Sequence, residues 1–203
     1  MNILQQSPSF AIHTRPAIIL TILLSVVLSV TCPMQEVYAQ SNTIYLPIIQ
    51  PTGCEQLSSK ETEIVMLVQR HPGQQRESVQ CNSTLIQVAR EKAMDLGLRN
   101  YMAHVDPDGI GPDQLVRNAG YQLPNFYGYD VDSNYIESIA GGRLEAETWD
   151  IWMNSPGHRM HLLGEVDFYA EQTEIGIGYA YVENSTYKHY WVFFSAHSEE
   201  DEE

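Results

Sequence analysis

The sequence predicts an α+β domain with an antiparallel sheet. Three observations carry that expectation. Apolar residues recur at helical spacing through most of the chain after residue 58. Two adjacent strand-like runs, joined by Glu183-Asn184-Ser185-Thr186, close it. No strand–helix–strand alternation occurs, which argues against a doubly wound fold.

The N-terminus reads as a leader. Arg15 precedes an uncharged apolar run, Ala17 to Val30, too short for a membrane span and suited to the core of a signal peptide. Val37-Tyr38-Ala39 places small residues where cleavage needs them, so residues 1–39 are expected to be removed, leaving a mature chain without a membrane span. Cys32 is a poor lipid acceptor, because Val30-Thr31 lack the small residues expected before it. Residues 40–57 read as a linker, broken by Pro51-Thr52-Gly53. The domain itself is expected over 58–197, and 198–203 reads as an acidic, disordered tail.

Each element has a local signal. Ser58 and Glu61 have capping-box spacing, and Ile64, Leu67 and Val68 follow on a helix that Pro72-Gly73 ends. A second helix begins near Ser83. Leu85, Val88, Ala89, Lys92, Ala93 and Leu96 trace its apolar face, with the Lys92 stem expected to carry its ammonium out to water. Asp106-Pro107-Asp108-Gly109 is a turn, and Pro112 to Ala119 a short helix stopped by Gly120. Residues 120–135 have no clean period and read as a long loop. After Gly141-Gly142 a fourth helix is expected to bury Leu144, Thr148, Ile151 and Trp152. Pro156 ends it, and Ser155 is placed to cap the next helix. The closing strands are expected over 175–182 and 187–196.

The net charge is −15, and the leader's one Arg and one Glu cancel within it. That argues against nucleic acid and anionic membrane surfaces as partners. Only Cys54 and Cys81 remain after cleavage. In an exported chain this even pair suggests one disulfide, closing a loop of about 26 residues worth roughly 3–4 kcal/mol. No CxxC spacing indicates a metal cluster.

Three segments each offer one chemically versatile side chain. His104 lies between a helix end and a tight turn. Glu137 sits in an apolar setting between Ile136 and Ile139, where a half-buried carboxylate wants a cation or a donor. His158 falls at the third position of a helix, whose dipole opposes protonation of the ring and keeps it fit for a metal or a proton. Each signal alone has a plain structural explanation, and His161 and His189 have no context that raises them above it. No HExxH occurs.

The order and spacing of His104-Val105-Asp106-Pro107-Asp108-Gly109, Ile136-Glu137-Ser138-Ile139-Ala140, Trp152-Met153-Asn154-Ser155-Pro156-Gly157-His158-Arg159, Gly176-Ile177-Gly178 and Tyr190-Trp191 closely resemble the bacterial branch of the CAP superfamily of cysteine-rich secretory proteins. The resemblance covers about residues 60 to 196. It implies an α-β-α sandwich, a secreted, extracellular protein, and a cleft where His104, Glu137 and His158 meet. It also implies a divalent cation, often zinc, on His104 and His158. Three departures stand out. Ile136-Glu137-Ser138-Ile139 stands where the family has Gly-Glu-Asn-Ile, Ser155 takes the place of a second cleft glutamate, and Phe193 that of a glutamine common after the last tryptophan.

Three functions compete. The first is a monomeric binding module rather than an enzyme. Its cleft, lined by His104, Glu137, Ser155 and His158 and rimmed by Tyr121, Phe126, Tyr127, Tyr129 and Tyr135, would take a small apolar or glycan-like ligand. The second is a metal-assisted, peptidase-like hydrolase with zinc on His104 and His158 and Glu137 as catalytic base. Two histidines are one ligand fewer than catalytic zinc usually has, and a Glu137 spent as ligand is lost as base. The third is an extracellular adhesion or interaction protein in which the cluster is structural.

Overall fold

The computed structural model describes residues 53–197. The expected leader, most of the expected linker and the expected acidic tail lie outside that range. Six helices and four strands follow in the order α1 (Ser59–Arg70), β1 (Gln80–Cys81), α2 (Ser83–Leu98), α3 (Pro112–Asn118), β2 (Glu137–Gly141), α4 (Glu145–Asn154), α5 (Pro156–Leu163), α6 (Asp167–Ala170), β3 (Glu174–Tyr181) and β4 (His189–Ala196). The strands form one sheet in the order β1-β3-β4-β2. β2, β4 and β3 pair antiparallel, and the two-residue β1 adds a parallel edge. The sequence shows only β3 and β4 clearly. β1 is too short for any alternation, and β2 runs into Gly141-Gly142 after five residues.

The sheet is covered on both faces. Along β4, Tyr190, Val192, Phe194 and Ala196 belong to the core under α2 and α3. Trp191 and Phe193 point the other way, into the core shared with Ile64, Val65 and Val68 of α1, Trp152 of α4 and Leu162 of α5. The period-two alternation of a strand buried on both faces thus produces the α-β-α sandwich. On β3 the face toward α2 carries Gly176 and Gly178. A Cβ at Gly176 would lie 2.2 Å from the Leu85 carbonyl carbon, and one at Gly178 2.2 Å from that of Ala89. These glycines let α2 lie directly on the strand backbone.

Several local expectations hold. Ser58 and Glu61 form the reciprocal capping box, and all six predicted α2 positions are buried. Cys54 and Cys81 are joined, with Cα atoms 5.1 Å apart. Others need correction. Lys92 does not snorkel: its ammonium is buried and donates to the His104 carbonyl at 2.7 Å and to Tyr101 Oη at 3.0 Å. Leu144 and Ile151 are exposed, because α4 turns Thr148 and Trp152 inward instead. Ser155 occupies the N-cap of α5, but its side chain makes no capping hydrogen bond; its carbonyl accepts from Arg159 N at 2.9 Å. The end of the expected linker belongs to the fold, since Cys54 is buried in the α1-side core.

Candidate functional site

A cavity of about 220 Å³ opens beside the edge strand β2 and is lined by His104, Tyr135, Glu137, Ser138, Ser155, His158 and His161, among others. The segment after α2 supplies His104. Asn100 leaves the helix at φ 54, and Asp106 Oδ1 accepts from Asp108 N at 2.8 Å and Ile110 N at 2.9 Å, closing the turn that follows. Lys92, reaching up from α2, holds the His104 carbonyl from below. β2 supplies Glu137, whose backbone N–H is received by Asn134 Oδ1 at 2.9 Å. From the other helical layer, the first turn of α5 brings in His158.

His104 Nδ1 and Glu137 Oε2 are 2.7 Å apart. Burial pushes the Glu137 carboxyl above its ordinary range, against the opposing pull of His104 and of Lys92. His158 is held below the ordinary imidazole value, first by burial and then by the nearby His104. Two polar atoms here are buried without a partner, Glu137 Oε1 and His158 Nδ1. Unpartnered buried polar atoms are costly, and these two belong to residues that line one small cavity.

The cavity lining offers two imidazoles, His104 and His158, of the kind a divalent cation takes. His104 spends Nδ1 on a carboxylate and keeps Nε2 for another partner, the carboxylate–histidine arrangement that orients metal-binding imidazoles. His158 is disposed to stay neutral, as ligation requires. Among the described residues, no group of three or more His, Cys, Asp or Glu side chains is placed to enclose an ion by itself. The imidazoles would hold an ion that other oxygen ligands complete.

Of the aromatic residues expected at the rim, only Tyr135 lines the cavity. Tyr121 and Tyr127 are buried in the α2-side core, and Phe126 packs on Tyr127 and His197. Tyr129 is exposed, with its ring 4.8 Å from the Arg117 guanidinium. The reason is that the loop turns Tyr121, Leu123 and Tyr127 inward to close the core, and reaches the cavity only at Asn134-Tyr135.

Sequence reasoning missed the cavity floor. His161, one turn beyond His158, is buried between Ser138 Oγ at 2.7 Å and Ser195 Oγ at 2.8 Å. Burial, and next the Arg76 guanidinium, keep it well below the ordinary 6.5. Arg76 is itself buried. It donates to the carbonyls of Gln172 (2.7 Å), Leu162 (2.7 Å) and His161 (2.6 Å), and burial pushes its pKa down to about 10. The one sequence signal for His161 is its i+3 spacing from His158 beside the apolar Leu162-Leu163. Arg76 carries none.

A second, larger depression of about 780 Å³ runs along α1, where Leu57, Met66, Leu67, Pro72 and Trp149 make its walls mostly apolar.

A sequence model described as CAP: Cysteine-rich secretory protein family matches residues 70–194. Uncharacterized protein YkwD of Bacillus subtilis is 30% identical over 125 residues, 61% of this chain and 43% of that protein, so the chain spans less than half of that relative's length. Among solved structures, an outer surface protein from Borrelia burgdorferi aligns with TM-score 0.48 at 22% identity, over 68% of this chain and 90% of its own. An extracellular protein containing a SCP domain from Bacillus anthracis aligns with TM-score 0.48 at 18% identity, over 68% of this chain and 39% of its own.

Proposed function

The chain belongs to the cysteine-rich secretory protein (CAP) family, and on that premise we propose that it is an exported, monomeric binding module whose cavity takes a divalent cation such as zinc. One observation carries this reading: Glu137 Oε1 and His158 Nδ1 are buried without partners in residues lining the same cavity. His104 and His158 would hold the ion. Glu137 orients His104 through Nδ1, and Tyr135 and Ser155 form part of the wall against which a glycan-like or other polar ligand would rest. An apolar ligand suits the α1 depression instead, whose walls have few groups to pair with polar atoms. Export is supported by the leader-like N-terminus and the Cys54–Cys81 bond.

A hydrolytic reading has one observation in its favour. Glu137 Oε1 is free to accept a proton, and burial raises the carboxyl toward the range a general base needs. Against it, the other oxygen is committed to His104.

Titration calorimetry with zinc near pH 7.5 tests the binding reading on the purified, oxidised protein. One-to-one binding that is lost in both His104→Ala and His158→Ala is expected. Binding indifferent to both substitutions, or absent from the parent protein, sinks it. Esterase or peptidase turnover abolished by Glu137→Gln would transfer the site to the hydrolytic reading.

A further inference from the structure

A run of buried side chains joins the cavity to Arg76. Ser138 Oγ lies 2.7 Å from His161 Nδ1, and His161 Nε2 lies 2.8 Å from Ser195 Oγ. Ser195 Oγ is 2.6 Å from Gln172 Oε1 and 3.0 Å from Arg76 Nη2. Gln172 Nε2 continues to Tyr127 Oη at 2.9 Å and to the Tyr135 carbonyl at 3.0 Å. All five of Arg76, Ser138, His161, Gln172 and Ser195 are buried.

Two members of this run cannot reverse their role. A guanidinium only donates, and a backbone carbonyl only accepts. The Tyr135 carbonyl therefore orients the Gln172 amide with Nε2 toward it, which leaves Oε1 as an acceptor. Oε1 takes the single hydroxyl proton of Ser195. Ser195 Oγ already receives Arg76, so His161 Nε2 donates to it as well. A neutral imidazole protonated on Nε2 has a bare Nδ1. Ser138 must then donate to that nitrogen, which leaves its Oγ lone pairs able to accept, and Ser138 lines the cavity. Among the described residues the His161 ring nitrogens meet only the hydroxyls of Ser138 and Ser195, with no carboxylate bonded to them to favour an imidazolium, and Arg76 donates to the His161 carbonyl at 2.6 Å.

We infer that Ser138 is a further ligand-binding residue of the cavity, an acceptor oxygen whose direction His161 sets as a positioning residue. The inference rests on the cation reading and deepens it. Strand alternation sends Glu137 and Ser138 to opposite faces of β2, yet at this sheet edge both line the cavity with His104 and His158, a set of imidazoles and acceptor oxygens that favours a divalent cation over an anion. The departure from the family pattern at Ser138 thereby gains a role.

Cobalt(II) titration followed by visible absorbance tests this on the oxidised protein, because the bands report the ligand set as well as the affinity. Ser138→Ala is expected to bind about tenfold more weakly, with an altered spectrum, while Ser138→Thr keeps the parent affinity and bands. His161→Gln is expected to fall with Ser138→Ala. If Ser138→Ala binds as the parent does while His104→Ala does not bind, the inference is overturned and the cation reading stands. If the parent protein binds no cobalt, both fall. An independent arm needs no metal and no substitution. A long-range proton–nitrogen NMR spectrum of the parent protein should show His161 carrying its proton on Nε2 alone; a proton on Nδ1 overturns the assignment.

Discussion

At the scale of single residues, His161 links stability to pH. Its folded-state pKa is depressed, by burial first and Arg76 next, with smaller contributions from His158 and His104. Below the ordinary value of 6.5 the unfolded chain binds a proton that the folded one refuses. Its contribution is therefore complete above 6.5 and is lost as the pH falls from there, at up to about 1.4 kcal/mol per pH unit. Glu137 has the opposite sign: its folded pKa is raised, so its stabilising effect is complete in acid and is lost as the pH rises. A comparison of variants separates the two. Urea unfolding at about pH 7 and about pH 5.5, with chelator present, should show the parent losing more stability on acidification than His161→Phe. Equal losses would contradict the account. His161 also shows what sequence could not reveal. His104, Glu137 and His158 were legible because they sit in recognisable motifs at three chain positions. His161 had only its spacing. The partners that define it, Ser195 and Arg76, lie far off in sequence, 34 and 85 residues away.

At the scale of elements, the contact between α2 and β3 places His104. The Gly176-Ile177-Gly178 pattern was legible as part of a strand, but its purpose was not, because a glycine states nothing about what approaches it. The structure supplies the reason: the backbone of α2 occupies the space a side chain would need. Gly178→Ala should destabilise the domain by roughly 3 kcal/mol or more, since the clash is with backbone rather than a flexible side-chain tip. It should also weaken cation binding, because α2 carries Lys92, which holds the His104 carbonyl. Gly157→Ala provides a contrast. Nothing lies within 4 Å of a Cβ there, and the position is helical, so a gain of about 0.5–1 kcal/mol is expected. Chemical denaturation of both variants checks the pair; a Gly178→Ala protein as stable as its parent would refute the close approach. The same element scale explains why the loop 120–135 does not rim the cavity with its aromatic residues. Its aromatic residues looked like a ligand rim, yet Tyr127 has more to gain from burial beside Phe168 and His197 than from water.

At the scale of the whole molecule, the sheet order separates fastening from function. The Cys54–Cys81 bond joins the chain entering α1 to β1, at one edge of the sheet. The cavity lies beside β2, at the other edge. β1 is held to the sheet by only a two-residue pairing with β3, so the bond does much to keep the approach to α1 in place. Reduction releases a loop with a sequence separation of 27 and should cost roughly 3–4 kcal/mol through the unfolded chain's regained freedom. Because the two edges are separated by β3 and β4, the loss should appear in the denaturation midpoint and not in cation affinity. Unfolding curves and cobalt titrations with and without reductant, under conditions where the reduced protein remains folded, measure both quantities. A reduced protein of unchanged stability would contradict the role of the bond. Affinity lost in step with reduction would show that the two edges are coupled through the sheet, and that the cavity depends on the α1 attachment.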